Sequence, residues 1–311
     1  MYKLFNADEL GLDWEWDWRQ EQPGAIVNGK KQRVVVMHAD TRPLQDLEQV
    51  GNDPFNFKHM TMGPLYVMWW AMRHGYDYRR VRLNQPGVKY GGWGKPKVIY
   101  DALHRYDWVV FVDSDAYPRR PDLSLEDLLD RWGFHANASV MLPLDPPEQL
   151  PENRNATNNG PALNTGFWIA HSTPTAKAIL RDLTTCLDRD NCKRWRTDWP
   201  AEQAAFSKVV VPNYVQGRDI INAPCGEANG WWAVSICPGA LWTHTWTGKE
   251  WAPKNMIERF MIEQIKVWQR LMKASYHSSD ECTFWKTGED ERCTFKEDLD
   301  SIDGRSTDLM P

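Results

Sequence analysis

The stretch Trp108-Val109-Val110-Phe111-Val112-Asp113-Ser114-Asp115 limits the possible folds more than any other part of the chain. Its β-branched and aromatic residues leave no polar face, the pattern of a strand covered on both sides. Strands of this kind belong to α/β sheets, in which ligands sit beyond the strands' carboxyl ends. Here that end carries two carboxylates one residue apart. Such oxygen donors suit a hard divalent cation, and a cation that also touches a diphosphate stabilises it as a leaving group. The plainer role of the pair is to end a strand and cap the next turn.

The segments before the pair have the order of an α/β fold. Residues 1–31 are polar, Trp-rich and broken by Gly and Pro, and read as a surface arm. Arg33 to His38 is a first strand entering the polar loop Ala39-Asp40-Thr41-Arg42-Pro43. Met62, Leu65, Met68 or Trp69, and Met72 recur at helical spacing up to a Gly75 stop. Tyr76 to Leu83 is a second strand. Pro96 opens a helix with Val98, Ile99 and Leu103 on one face. The resulting β-α-β-α-β order predicts a parallel sheet flanked by helices. There is no Gly-x-Gly-x-x-Gly and no Walker A sequence, which disfavours a dinucleotide site or a P-loop.

Beyond the pair, Ser124 and Asp127 resemble a helix-capping pair. Ser139 to Leu142 and Asn164 to Ala170 read as strands, separated by a Pro- and Asn-rich loop over 143–161. Thr173-Pro174 starts a helix, and Glu202 to Phe206 forms a short one. Val209 to Val211 and Trp231 to Ile236 read as further strands, and a long helix runs from Pro253 to Lys273. The expected organisation is an N-terminal arm (1–31), one α/β domain (32–274) and an acidic C-terminal tail (275–311).

Composition narrows the partners. A net charge of −5 over 311 residues argues against nucleic acid. No cationic amphipathic helix or apolar stretch of transmembrane length stands out, and Met1 begins no visible signal peptide. A secretory chain of this kind would have its membrane anchor or signal outside this sequence. Several of the 18 Trp lie in polar loops (Trp14, Trp16, Trp18, Trp93, Trp195, Trp199, Trp246, Trp251), where indole rings either stack on sugars or fill cores. The six Cys (Cys186, Cys192, Cys225, Cys237, Cys282, Cys293) contain no Cys-x-x-Cys. Their even number fits disulfides in an oxidising compartment, with neighbour pairing the simplest arrangement. The sequons at Asn137 and Asn155 point the same way. A cytoplasmic chain with reduced Cys is the alternative.

The order of elements resembles a GT-A type glycosyltransferase, and more narrowly the galactosyl/mannosyl/xylosyltransferase family. That family includes fungal α-1,2-galactosyltransferases, mannan polymerase subunits and plant xyloglucan xylosyltransferases. The matching residues are His74-Gly75-Tyr76, Trp93, Lys95 and Ile99, the run Trp108 to Ala116, Asn164-Thr165-Gly166, Glu202-Gln203-Ala204, and His244 followed by Gly248-Lys249. Two departures stand out: family members more often show Asp-Gln where this chain has Glu202-Gln203, and the segment after His244 follows the pattern loosely.

The resemblance implies a single Rossmann-like domain that moves a hexose or pentose from a UDP- or GDP-sugar to a glycan or glycoprotein hydroxyl, with retention, in the Golgi or another secretory lumen. It implies that Asp113, Asp115 and His244 hold Mn²⁺ or Mg²⁺; an imidazole among carboxylates suits Mn²⁺ better. Lys249, Lys95 and Ser114 would face the diphosphate. His38 and Ala39, where the first strand ends, are candidates for the nucleoside pocket by position alone, and Asn164 and Gly166 would line the sugar site. Glu202 or Gln203 would lie beneath the anomeric carbon; Glu202 is the better nucleophile, Gln203 the better match by position. Two rival readings remain. A haloacid-dehalogenase-like phosphatase would use Asp113 as nucleophile, and a sugar-binding relative would keep the fold without turnover.

Overall fold

The computed structural model describes residues 13–18, 25–27 and 30–275, apart from 46–47, 49, 52, 84–87, 148–159 and 235. Cys282, Cys293 and the Asn155 sequon lie outside the described residues. The chain divides into two compact units, residues 1–257 and 258–311, and the sheet belongs to the first.

The strands are β1 (Asp13–Trp18), β2 (Ala25–Val27), β3 (Lys30–Gln32), β4 (Val34–Asp40), β5 (Asp77–Arg82), β6 (Trp108–Val112), β7 (Ala116–Pro118), β8 (Val140–Pro143), β9 (Phe167–His171), β10 (Ile220–Ala223) and β11 (Trp242–His244). The helices are α1 (His59–Arg73), α2 (Lys95–Ala102), α3 (Leu125–Arg131), α4 (Pro174–Thr184), α5 (Glu202–Ala205), α6 (Cys225–Ala228) and α7 (Ala252–Ser275). A seven-stranded sheet has the order β1-β5-β4-β6-β9-β8-β10. The expected β4-α1-β5-α2-β6 unit is present, and β4 lies parallel to both β5 and β6. β8 and β10 are also parallel, whereas β9 runs antiparallel between β6 and β8. β1, from the segment read as an arm, lies antiparallel to β5 at the sheet edge.

Strand β6 is buried along its whole length. Val109 and Phe111 point into a core completed by Val98 and Ile99 of α2 and by Ile179, Leu180 and Leu183 of α4. Pro174 at the first turn and the Thr173 hydroxyl, which accepts from the Ala176 N–H, set the start of α4. The other layer is rich in aromatic rings. Trp70 of α1 meets Trp242 edge-on at 5.2 Å, and Trp242 stacks on Phe167 of β9 at 4.3 Å. Burying side chains of this size stabilises by about 1.5–3 kcal/mol each. Ser124 caps α3 in a capping box, with Asp127 accepting from the Ser124 N–H.

Among the described residues, two expected strands do not form. Val209 and Val210 belong to a π-helical turn, Phe206–Val210, and Val211 opens a 3₁₀ turn. Phe206, Val210 and Val211 all turn into the core, so tertiary burial overrides the β preference of a Val run. The described residues of Trp231–Ile236 form turns and no strand. Trp232 and Ile236 face solvent there, and Cys225 and Cys237 are joined by a disulfide that fixes the loop ends. Cys186 and Cys192 form a second neighbour disulfide.

Burial disfavours the charged form of three histidines, two of them, His38 and His171, in strands of the sheet. His38 is 1% exposed, and burial pushes its pKa down from 6.5 to about 3. Burial also lowers His74 and His171. A His whose folded pKa is depressed contributes stability above its unfolded pKa, and that contribution is lost as pH falls below it. For His38 the loss on going from pH 7 to pH 5 is about 2 kcal/mol. Denaturant unfolding at the two pH values will show the parent losing about that much more stability than His38→Gln.

Candidate functional site

The carboxyl ends of the central strands open into a cleft of about 650 Å³. Strand β6 delivers Asp113 to it, and the Asp113 N–H donates to the Gly166 carbonyl at 2.7 Å. A turn closed by the Ala116 N–H on the Asp113 carbonyl (2.9 Å) then sets Ser114 and Asp115 in the wall of the cleft, both buried. Helix α1 supports that turn at close range, since a Cβ on Gly63 would strike the Ser114 carbonyl.

His244 reaches the pair through a small second sheet. β7, directly after the turn, pairs antiparallel with β11, and His244 stands opposite Ala116. The Thr245 N–H and hydroxyl both donate to the Asp115 carbonyl, at 2.9 and 3.0 Å, across 130 residues of sequence. His244 Nε2 lies 3.5 Å from Asp115 Oδ1. One ligand atom from each of Asp113, Asp115 and His244 falls within 4.8 Å of the others. Gly166 makes this approach possible: a Cβ there would enter the His244 ring.

Cations bracket the pair. Lys95 Nζ is 2.8 Å from Asp113 Oδ2 and 3.2 Å from Glu202 Oε1. Burial works against the Lys95 charge, but Asp113 and Glu202 outweigh it and raise its pKa. Lys249 Nζ lies 2.7 Å from Asp115 Oδ2. Burial opposes the Asp115 charge too, yet His244 and Lys249 hold its carboxyl well below the usual range. At Asp113 burial prevails: helped by the Asp115 charge, it exceeds the pull of Lys95 and His244, so this pKa is raised. Two carboxylate oxygens and an imidazole nitrogen gathered in this way could hold a divalent metal ion.

The sugar-side candidates form one hydrogen-bond network. Asp145, 1% exposed, accepts from Asn164 Nδ2 at 2.7 Å and from Gln203 Nε2 at 2.6 Å. Asn164 Oδ1 in turn accepts from the Gly166 N–H, and Gln203 Oε1 from the Thr165 N–H. Glu202 accepts from the Thr165 hydroxyl and pairs with Lys95. Burial raises the Asp145 pKa against the pull of these amides. Asp145 was not legible as a site residue, although it follows the apolar run Val140 to Leu144 much as Asp113 follows its own strand.

Of the residues singled out in the sequence, Ala39, Lys95, Asp113, Ser114, Asp115, Asn164, Gly166, Glu202, Gln203, His244 and Lys249 all line the cleft. His38 does not: it lies behind Ala39, with Nδ1 3.1 Å from the Tyr78 hydroxyl. The Lys95 ammonium sits on two carboxylates. Asp40 and Arg42 are additional lining residues; Arg42 binds Asp40 through two nitrogens, at 2.9 and 2.6 Å, and also donates to the Ser114 hydroxyl. The loop tryptophans divide. Trp93 and Trp195 are core, whereas Trp199 and Trp246 line the cleft. Trp199 is 66% exposed and meets Tyr90 edge-on at 5.5 Å.

No family model matches the sequence, and no curated protein matches it. Among solved structures, a glycosyltransferase involved in glycosylation of the major capsid of PBCV-1 is similar with a TM-score of 0.51 and 14% identity, covering 72% of this chain and 98% of that one. An active-site mutant of LgtC is more distant, with a TM-score of 0.44 and 9% identity over 73% of this chain and 94% of that one. The chain has the α/β GT-A fold, with most strands of the central sheet running one way and helices on both faces.

Proposed function

We propose that the protein is a metal-dependent glycosyltransferase that moves a hexose or pentose from a UDP- or GDP-sugar to a glycan hydroxyl. The observation that carries this reading is the gathering of Asp113, Asp115 and His244 at the carboxyl end of β6, in a cleft of the size that holds a nucleotide-sugar. The motifs quoted above ally the chain with galactosyl/mannosyl/xylosyltransferases.

Asp113, Asp115 and His244 would hold Mn²⁺ or Mg²⁺. When bound, the ion neutralises diphosphate charge and stabilises the departing nucleotide. The chain's own groups do the rest. Lys249, 44% exposed beside Asp115, offers its ammonium to the same diphosphate. Ala39, with Asp40 and Arg42, forms the nucleoside end. Asn164 and Asp145 hold the sugar hydroxyls, and Gly166 leaves room for close approach. Gln203, the more exposed of the Glu202-Gln203 pair, faces the sugar and stabilises positive charge at its anomeric carbon, while Glu202 is neutralised by Lys95. This arrangement suits retention, with the leaving diphosphate accepting the proton of the acceptor hydroxyl. The disulfides Cys186–Cys192 and Cys225–Cys237 support a secretory lumen as its place of work.

A panel of UDP- and GDP-sugars with Mn²⁺, with and without simple glycosides as acceptors, tests the proposal. One donor should yield free nucleoside diphosphate and an axial or equatorial linkage that matches the donor. Release of inorganic phosphate from simple esters, with no nucleotide-sugar consumed, would instead identify a phosphatase. The exposed Trp199 ring at the cleft mouth offers a flat apolar face to an acceptor pyranose. Trp199→Ala should therefore raise the acceptor KM roughly tenfold and leave donor hydrolysis in water unchanged.

A further inference from the structure

The geometry points to Asn229 as the residue that orients His244 for metal binding, within a loop clamped by Cys225–Cys237. This rests on the metal centre proposed above. Asn229 is fully buried, and each end of its amide is assigned by its partners. Nδ2 donates to the Leu144 carbonyl at 3.0 Å and to Asp145 Oδ1 at 3.2 Å. Oδ1 accepts from the Gly230 N–H at 3.0 Å and lies 3.1 Å from His244 Nδ1. Because an amide oxygen only accepts, Nδ1 must carry the proton it donates there. Nε2, the nitrogen facing Asp115, is then the one available as a ligand. A hydrogen bond to the far nitrogen fixes both ring orientation and tautomer, the usual way a metal-binding imidazole is supported.

The backbone reinforces this. The His244 N–H donates to the Gly230 carbonyl at 2.7 Å, so Asn229 and Gly230 together hold His244 by ring and by main chain. Their own position depends on the loop ends. Cys225 opens α6, which leads directly to Asn229, and Cys237 closes the loop with a Cα–Cα distance of 5.2 Å. Gly230 is left-handed at φ 81° and packs so closely that a Cβ would strike the Cys237 carbonyl. The disulfide thus holds together the two stretches of chain that fix Asn229. It joins the oxidation state of the loop to the third metal ligand.

The test is a thermodynamic cycle on the full chain, with the Mn²⁺ dissociation constant read from the electron paramagnetic resonance of free Mn²⁺. Asn229→Leu should weaken Mn²⁺ binding about 10–100-fold. In the His244→Ala background it should cause no further loss, because its effect passes through that ring. Parent-like binding by Asn229→Leu, or a loss that adds fully to that of His244→Ala, overturns the positioning role. If circular dichroism shows Asn229→Leu unfolded, the paired Cys225→Ala and Cys237→Ala variant takes its place in the cycle, with the same two readings. Should the parent itself bind no Mn²⁺, the metal centre falls and the positioning role with it. Additive losses on a parent that does bind Mn²⁺ remove only the positioning role.

Discussion

Replacing Asp115 with Asn should lower transfer by about a thousand-fold, the equivalent of roughly 4 kcal/mol of transition-state stabilisation. Asp115 is 3% exposed and stands at the meeting point of the site, with His244 on one oxygen and Lys249 on the other. An amide of the same shape preserves the turn, since the backbone carbonyl of residue 115 is what binds Thr245. What it removes is the charge that both holds a cation and keeps the Lys249 ammonium in place. The loss should therefore appear in kcat as well as in Mn²⁺ affinity, while the thermal melt of the variant shifts far less than its activity falls. A variant with parent-like turnover would remove Asp115 from the centre.

Gly166→Ala should be nearly as damaging through a different route. Its Cβ would enter the His244 ring, so either the ring leaves Asp115 or β9 shifts at its entry. Neither is free. The ring is held by Asn229 and by the β7–β11 pairing, and the Gly166 carbonyl holds the Asp113 N–H. Overpacking of this kind costs about 1–3 kcal/mol of stability. Displacing a metal-binding imidazole should weaken Mn²⁺ about 10–100-fold. Calorimetric Mn²⁺ titration alongside a thermal melt separates the two effects. Unaltered Mn²⁺ affinity in a folded Gly166→Ala protein would mean that His244 is not a ligand.

The differing legibility of these residues has a physical basis. Strand β6 was readable because burial on both faces forces a continuous apolar run, and its acidic end follows from the geometry of α/β sheets. The helices α1 and α4 were readable from periodicity and from signals such as Gly75 and Thr173-Pro174. The β7–β11 ribbon was not. Three-residue strands have no period to detect, and their pairing joins segments far apart in sequence. Yet that ribbon is what carries His244 onto the acidic pair. The Val209 to Val211 run misled because a β-branched triplet also packs well inside a helical turn when its surroundings are core. Asn229 gave no local sign at all: its role comes from partners as distant in sequence as Leu144, Asp145 and His244. The resemblance marks Lys95 as a site residue, but only the fold shows that its charge is matched by Asp113 and Glu202.

In the proposed site Asp113, Asp115 and His244 hold a divalent ion that in turn holds a nucleoside diphosphate. Calorimetric titration of UDP and of GDP into the full chain, with Mn²⁺ and then with the metal removed by chelation, tests it most directly. One of the two nucleotides should bind with Mn²⁺ present and lose at least about a hundred-fold in affinity on chelation, and Asp115→Asn should behave like the chelated parent. Equal binding with and without Mn²⁺, or none of either nucleotide under both conditions, would contradict the account.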